Sequence, residues 1–367
     1  MRVERLSILN FKNIEEAEMV FSPKMNCFFG NNGMGKTNLL DALFYLSFCK
    51  SYTNLPDSQL IMHDKEFCVL QGFYLLNDRP EEIYCGIKRK CRKHFKRNKK
   101  EYGKLSEHIG LLPLVMVSPS DTDLIQGGSD ERRKFVDMII SQYDREYLHA
   151  LIDYNKALEQ RNALLKNELH DDSLMEILDD RMAACARPIH AKRRLFLEAF
   201  LPIFKAFYRV ISQDGETVNL EYESQLHHAD LSDLLAGKRD RDRLLGYSTQ
   251  GIHKDDFHFL LGDYLMKKIG SQGQNKTYLI ALKLAQFDFL AKKGNALPVL
   301  LLDDIFDKLD ALRVEQIVKL VSGDTFGQIF ITDTNREHLD EILHKMNHDY
   351  RLFYVDRGLI KELEPHP

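Results

Sequence analysis

Apolar and polar positions along the first thirty residues repeat with period two. Residues 2–10 alternate, 17–21 follow, and 25–29 form an apolar run that stops at Gly30. Alternation marks strands that bury one face, and a short unbroken run suits a strand covered on both. The period then changes, because Leu39, Leu40, Leu43, Phe44 and Leu46 recur at helical spacing over 38–48 with neither Pro nor Gly inside. Strand patterns return at 67–73, 82–87 and Leu114–Val117. From about 130 to 210 glycine vanishes and Leu, Ala, Lys and Arg dominate, which predicts helices over 131–141, 146–167, 173–186 and 191–208. Strands are expected at 218–222 and 257–261. After them helix and strand alternate: helix 276–292, strand 299–302, helix Ala311–Val321, strand 328–332, helix 337–346. That alternation is the mark of an α/β sheet. No repeat, low-complexity tract or Pro-rich linker sets the helical middle apart, so it reads as an insertion. The expected fold is α/β, a mixed sheet with flanking helices, divided at 1–125, 126–245 (the helical lobe) and 246–367.

Composition narrows the class. The chain has 367 residues, 44% of them hydrophobic, which is enough for a sizeable core. Its longest apolar runs, such as 297–302, fall far short of the ~20 residues of a membrane span, and charge begins at Arg2. The expectation is a soluble, unprocessed chain away from membranes. Six cysteines, at 27, 49, 68, 85, 91 and 185, form no CxxC pair, which fits a reducing cytoplasm and requires neither disulfide nor metal. A net charge of −4 excludes a uniformly basic coat but hides a local excess: residues 88–104 hold ten Lys or Arg and one acid, Glu101. That run could lie along nucleic-acid phosphates, or be a solvated hairpin turning near Asn98 and Lys99. Arg132, Arg133 and Lys134 could add to such a surface or pair with acids inside the lobe.

Gly30-Asn31-Asn32-Gly33-Met34-Gly35-Lys36-Thr37 matches G-x-x-x-x-G-K-[ST], the P-loop whose backbone N–H groups cradle phosphates at the start of a helix. The strand before it and the helix after it are the context this motif needs. Its glycines let the backbone approach the β-phosphate, Lys36 reaches the β and γ oxygens, and the Thr37 hydroxyl is placed to ligate Mg²⁺. Such a loop needs an acid at the end of a buried strand. The run 298–302 leads into Asp303 and Asp304; Asp303 is the expected holder of Mg²⁺ and Asp304 the expected general base for the attacking water. Ser271-Gln272-Gly273-Gln274 opens a long helix ahead of that strand, in the order of an ABC signature. Its serine and backbone amides form an anion site, or an ordinary N-cap. In the ABC architecture the signature of one subunit contacts the γ-phosphate held by the other, so Ser271, Gly273 and Gln274 complete the site in a dimer joined by ATP. Lys308-Leu309-Asp310 stand where a D-loop is expected. Thr332 or Asp333 occupies the usual place of a γ-phosphate sensor, and His338 reads as a solvent-facing helix residue.

These motifs, with several others, resemble the RecF family of bacterial recombination mediators, which is similar to SMC heads without their coiled coil. The likeness runs over nearly the whole chain. It includes Asn10-Phe11-Lys12-Asn13, Asn38-Leu39-Leu40, Ser51-Tyr52, Arg132-Arg133-Lys134-Phe135-Val136-Asp137, residues 154–166 (YNKALEQRNALLK), His253-Lys254-Asp255-Asp256, Leu284-Ala285-Gln286 and 302–310 (LDDIFDKLD). Two positions depart from it, since Ser120 stands where the family usually has Glu and Ile252 where it has Pro. The resemblance implies an ABC-type ATPase head and a weak ATPase that dimerises with ATP. It also implies binding to DNA at boundaries between duplex and single strand in gaps and stalled forks, acting with RecR and RecO to load RecA. Read from the residues alone, the chain could be such a switch, a DNA-bound adaptor in which ATP serves only as dimer glue, or the ATPase subunit of a transporter.

Overall fold

A computed structural model describes residues 1–166, 171–213, 215–306, 311–323, 325–334, 336, 339 and 349–363. The chain divides into two compact units, Met1–Asp121 with Lys283–Pro367, and Thr122–Leu282. Along the first stretch lie β1 (Arg2–Phe11), β2 (Ile14–Val20), β3 (Met25–Phe29), α1 (Lys36–Phe48), α2 (Asp57–Leu60), β4 (Phe67–Leu76), β5 (Arg79–Lys88), β6 (His94–Arg97), β7 (Lys100–Glu101) and β8 (Leu114–Val117). The second unit contains α3 (Asp123–Gln126), α4 (Ser129–Tyr143), α5 (Arg145–Lys166), α6 (Asp172–Ser212), β9 (Val218–Glu223), α7 (Leu231–Leu245), β10 (Asp256–Leu261), β11 (Tyr264–Leu265) and α8 (Met266–Ile269). Helix α9 (Gln272–Lys293) carries the chain back to β12 (Val299–Asp303), α10 (Ala311–Val321), β13 (Ile329–Asp333), β14 (Tyr350–Asp356) and β15 (Leu359–Leu363).

Among the described residues the first unit has two six-stranded sheets. One, ordered β2-β1-β4-β5-β6-β7, is antiparallel throughout. The other, ordered β15-β14-β3-β13-β12-β8, is mixed: five parallel strands and an antiparallel edge, β15. Strands β12 and β13 are buried at every position, as expected of parallel strands covered on both faces. Phe28 stacks on Phe353 of the neighbouring strand β14 at 4.9 Å, and Phe21, just after β2, meets Phe330 of β13 edge-on at the same distance. The carboxyl ends of β3, β12 and β13 lie side by side, with Asp303 beside Thr332 and Thr332 beside Phe28. Ligand crevices of α/β sheets form at such ends.

The second unit is helical with a small antiparallel sheet, β11-β10-β9. It runs past the expected boundary at 245, because β10 returns to pair with β9 and Tyr278 of α9 packs on Phe204 and Tyr208 of α6. The two helices expected at 173–186 and 191–208 are one, α6, which passes through Pro188 and Pro202. Proline inside a helix costs roughly 3 kcal/mol. Ile189, Phe196, Phe200, Phe204, Tyr208 and Ile211 continue one buried stripe across both prolines, and burial of ~1.5–3 kcal/mol per large side chain outweighs that cost.

Several of the segments that carry the resemblance supply this unit's buried polar network. Arg161, fully buried, donates to Asp179 at 2.6 Å, Asp242 at 2.7 Å and Ser248 at 2.8 Å. Arg193 donates to both Asp137 oxygens at 2.9 and 3.1 Å, to Asp255 at 2.8 Å and to the Ile252 carbonyl at 3.0 Å. Arg132 forms a bidentate pair with Asp256, Arg133 donates to the Asp255 carbonyl and Lys134 pairs with Glu131, so these three cations are engaged inside the unit. His253 Nδ1 lies 2.8 Å from the Tyr154 hydroxyl, and burial lowers its pKa to about 4.

Candidate nucleotide site

Between β3 and α1 the chain turns through residues 30–35, and the tightness of that turn explains its glycines. A Cβ on Gly30 would lie 2.1 Å from the Val355 carbonyl oxygen of β14; one on Gly35, at φ 115°, would lie 2.7 Å from Asn13 Oδ1. Asn13 Nδ2 donates to the Met34 carbonyl at 3.0 Å and its Oδ1 accepts from Asn38 at 2.8 Å, tying the loop to the first turn of α1. Asn31, Asn32 and Gly33 form the exposed crown of the loop. Lys36 is buried; its ammonium donates to the Gly30 carbonyl at 2.8 Å and lies 3.9 Å from Asp304.

Asp303, at the end of β12, is 2% exposed. The Thr37 hydroxyl lies 3.0 Å from each of its oxygens, Thr332 donates to it at 2.8 Å and Ser118 at 3.4 Å. Burial raises its pKa, and the hydroxyl bonds together with nearby Lys36 oppose the rise. Asp304 has a left-handed backbone, φ 45°, and its N–H donates to Thr332 Oγ1 at 3.0 Å. Thr332 therefore spends both its proton and a lone pair on the two acids, while Asp333 is also buried at the end of β13. Segment 308–310, His338 and, apart from Leu339, the expected helix 337–346 lie outside the described residues.

Behind this site stands a layer to which the sequence reading assigned no role. Asp121 accepts from the Ser118 N–H at 2.8 Å, pairs with Lys283 at 2.7 Å and bonds to the Tyr52 hydroxyl. Lys283 also donates to the Met116 carbonyl at 3.0 Å. Ser120, in place of the usual acid, donates to Ser118 at 3.2 Å and so joins the chain that ends on Asp303. Asp41 pairs with Lys12 at 2.7 Å and accepts from Ser51 at 2.7 Å. A signal for Lys283 was present: a lone cation within the apolar stretch 278–290 of a helix, which has to be paired if it is buried.

Ser271, Gly273 and Gln274 begin α9 in the second unit. The Ser271 N–H donates to Gln274 Oε1 at 2.7 Å and the Gln274 N–H to Ser271 Oγ at 3.2 Å, a reciprocal capping box. Gln274 Nε2 donates to Glu216 at 2.6 Å. Ser271 is exposed. No helix among the described residues is long and apolar enough to cross a membrane.

The RecF/RecN/SMC N terminal domain family matches residues 2–361. The DNA replication and repair protein RecF of Parabacteroides distasonis is 63% identical over 364 residues, 99% of this chain and 100% of the relative. That of Bacteroides thetaiotaomicron is 62% identical over 365 residues, 99% of each. The solved structure of the recombination mediator protein RecF-ATP in the RecFOR pathway superposes with a TM-score of 0.88 at 29% identity, over 99% of this chain and 97% of that one. An Smc head domain from Pyrococcus furiosus, at TM-score 0.59 and 17% identity over 98% of this chain and 95% of that one, shares the fold. With P-loop, strand-end acid and capped helix on an SMC-type head, and with identity above 60% along its whole length, the chain belongs to the RecF family of DNA replication and repair proteins.

Proposed function

We propose that this protein is an ATP-dependent DNA-binding protein of recombinational repair and replication-fork maintenance, which dimerises on ATP and is reset by slow, DNA-dependent hydrolysis. Relatives named for DNA replication and repair, and the solved RecF-ATP structure, support ATP as its nucleotide. Residues 30–35 cradle the phosphates and Lys36 neutralises the β and γ oxygens. Thr37 and Asp303 are hard oxygen donors already within hydrogen-bond reach of each other, a set that suits Mg²⁺. The ion supplies charge neutralisation across those oxygens. Asp304 orients and deprotonates the attacking water. Ser271, Gly273 and Gln274 contact the γ-phosphate held by a second copy.

The partners that fit this reading are DNA at duplex–single-strand boundaries and gaps, a second copy of the chain, and RecR and RecO for RecA loading in the cytoplasm. One observation carries it: Thr37 and Asp303, 266 positions apart, meet at 3.0 Å. The test is light scattering and gel shift on a gapped duplex with ATP, with ADP and without nucleotide. Dimers and DNA binding specific to ATP are expected; a species that is monomeric in all three conditions sinks the reading.

A further inference from the structure

The basic run 88–104 is resolved by the structure into two kinds of cation. Some are held internally. Arg97 pairs with Glu81 through two contacts, one at 2.8 Å; Lys93 donates to the Cys49 carbonyl at 2.6 Å and pairs with Asp57 at 3.1 Å; Arg89 donates to the Lys65 carbonyl at 3.0 Å. Lys96 sits 5.5 Å over the Tyr84 ring. The other six, Lys88, Lys90, Arg92, Lys99, Lys100 and Lys104, are exposed, and none has a side-chain partner among the described residues. The run's only acid, Glu101, is 3.0 Å from His94.

Lys99 and Lys100 stand on a hydrogen-bonded hairpin, Lys88 at the end of β5, and Lys90, Arg92 and Lys104 on the connections beside them. Asn98 and Lys99 both have positive φ, 48° and 68°, the two-residue turn that closes β6 onto β7. Asn98 fastens the turn to β5, accepting from the Glu82 N–H and donating to Glu81, each at 2.8 Å. On the outer face of the sheet Lys88 stands opposite Phe67, which is 44% exposed, and Lys96 opposite Tyr84.

We propose that the β5–β6–β7 end of this antiparallel sheet is a contact surface for the phosphate backbone of DNA. The inference rests on the DNA-binding reading above and adds the place. Charge of one sign on an edge hairpin also deters sheet-to-sheet association, but that purpose needs one or two cations rather than six. Five of the six are lysines, the residue depleted from protein–protein interfaces and suited to point-charge contact with phosphate.

The test compares Lys90→Gln/Arg92→Gln/Lys99→Gln/Lys100→Gln with a charge-matched control on the other unit, Lys156→Gln/Lys205→Gln/Lys238→Gln/Arg241→Gln. All eight side chains are exposed. Affinity for a fluorescent gapped duplex is measured in saturating Mg-ATP between about 50 and 200 mM salt. The hairpin variant should bind ~10–10²-fold more weakly at low salt, with the slope of log K against log salt shallower by about 2–4, since each phosphate contact contributes about 0.9. The control should keep the wild-type slope, and both should dimerise with ATP as wild type does. A hairpin variant that dimerises and binds DNA with the wild-type slope overturns the surface and leaves the nucleotide reading standing. Wild-type protein that dimerises yet binds no DNA overturns the functional reading, and the surface with it.

Discussion

Asp303 is proposed to serve the triphosphate held by its own chain and Ser271 the one held by a second copy, and their surroundings are opposite. Asp303 is 2% exposed and takes hydrogen bonds from Thr37, Thr332 and Ser118, and the Ser118 N–H in turn donates to Asp121, the ion-pair partner of Lys283. Ser271 is exposed, and among the described residues its hydroxyl oxygen accepts from the Gln274 N–H, capping its own helix. A buried, interlocked polar cluster is set before any ligand arrives, and in low dielectric its geometry is costly to change. The cap leaves the Ser271 hydroxyl proton available to an acceptor from outside, the condition a contact supplied in trans has to meet. On the proposed reading, this contrast separates the half-site that one chain builds for its own nucleotide from the half-site it offers to a second copy.

The sharpest way to break this comparison is Asp304→Asn, which keeps the shape and removes the proposed base. Turnover should fall ~10²–10⁴-fold, while ATP still binds and closed dimers accumulate that leave DNA more slowly. Turnover and DNA dissociation equal to wild type would make Asp304 a positional residue only.

Next in size is Lys283→Met, which strands the Asp121 carboxylate in a buried setting. Breaking one side of such a pair costs about 3–5 kcal/mol. Denaturant unfolding should show the loss, and adding Asp121→Asn should restore at least half of it. No restoration would mean that Lys283 acts through packing and not through the pair.

The smallest effect on the single chain is expected from Ser271→Arg. ATP affinity of the monomer should stay within about twofold, and dimerisation should weaken ~10²-fold or more, because a long cation fills the place of the partner's phosphate. Light scattering alongside nucleotide titration checks both arms. Undisturbed dimers would reduce Ser271 to a helix cap and leave the contrast with Asp303 without functional content.

Much of the fold was legible because it is local. The expected strand at 25–29 is β3, the strand at Leu114–Val117 is β8, and helix Ala311–Val321 is α10, each with its own periodicity. The P-loop was legible as a motif, down to the glycine that Asn13 makes obligatory. Other features were not legible. The single helix α6 was read as two, because a proline's local penalty is visible in sequence and the buried stripe that overrides it is not. Asp41 and Asp121 carried no local sign of partnership, and Lys283 only that of a lone cation in an apolar stretch, since the ion-pair partners lie elsewhere in the chain.

What the sequence by itself determined is the list of parts: a strand, a phosphate loop, a helix, a strand-end acid, a capped serine and a basic run, all set by spacing within a few residues. Tertiary structure decided which parts meet and which stay open. Parallel pairing of β12 with β8 and β13 brings Ser118, Asp303 and Thr332 together from three distant segments, and contacts of the basic run with distant segments engage Arg89, Lys93, Lys96 and Arg97 while its other six cations stay exposed, with no side-chain partner among the described residues. The physical reason is that periodicity reports only whether a position faces a core, whereas the partner it meets there is chosen by long-range strand register, which no short window of sequence contains.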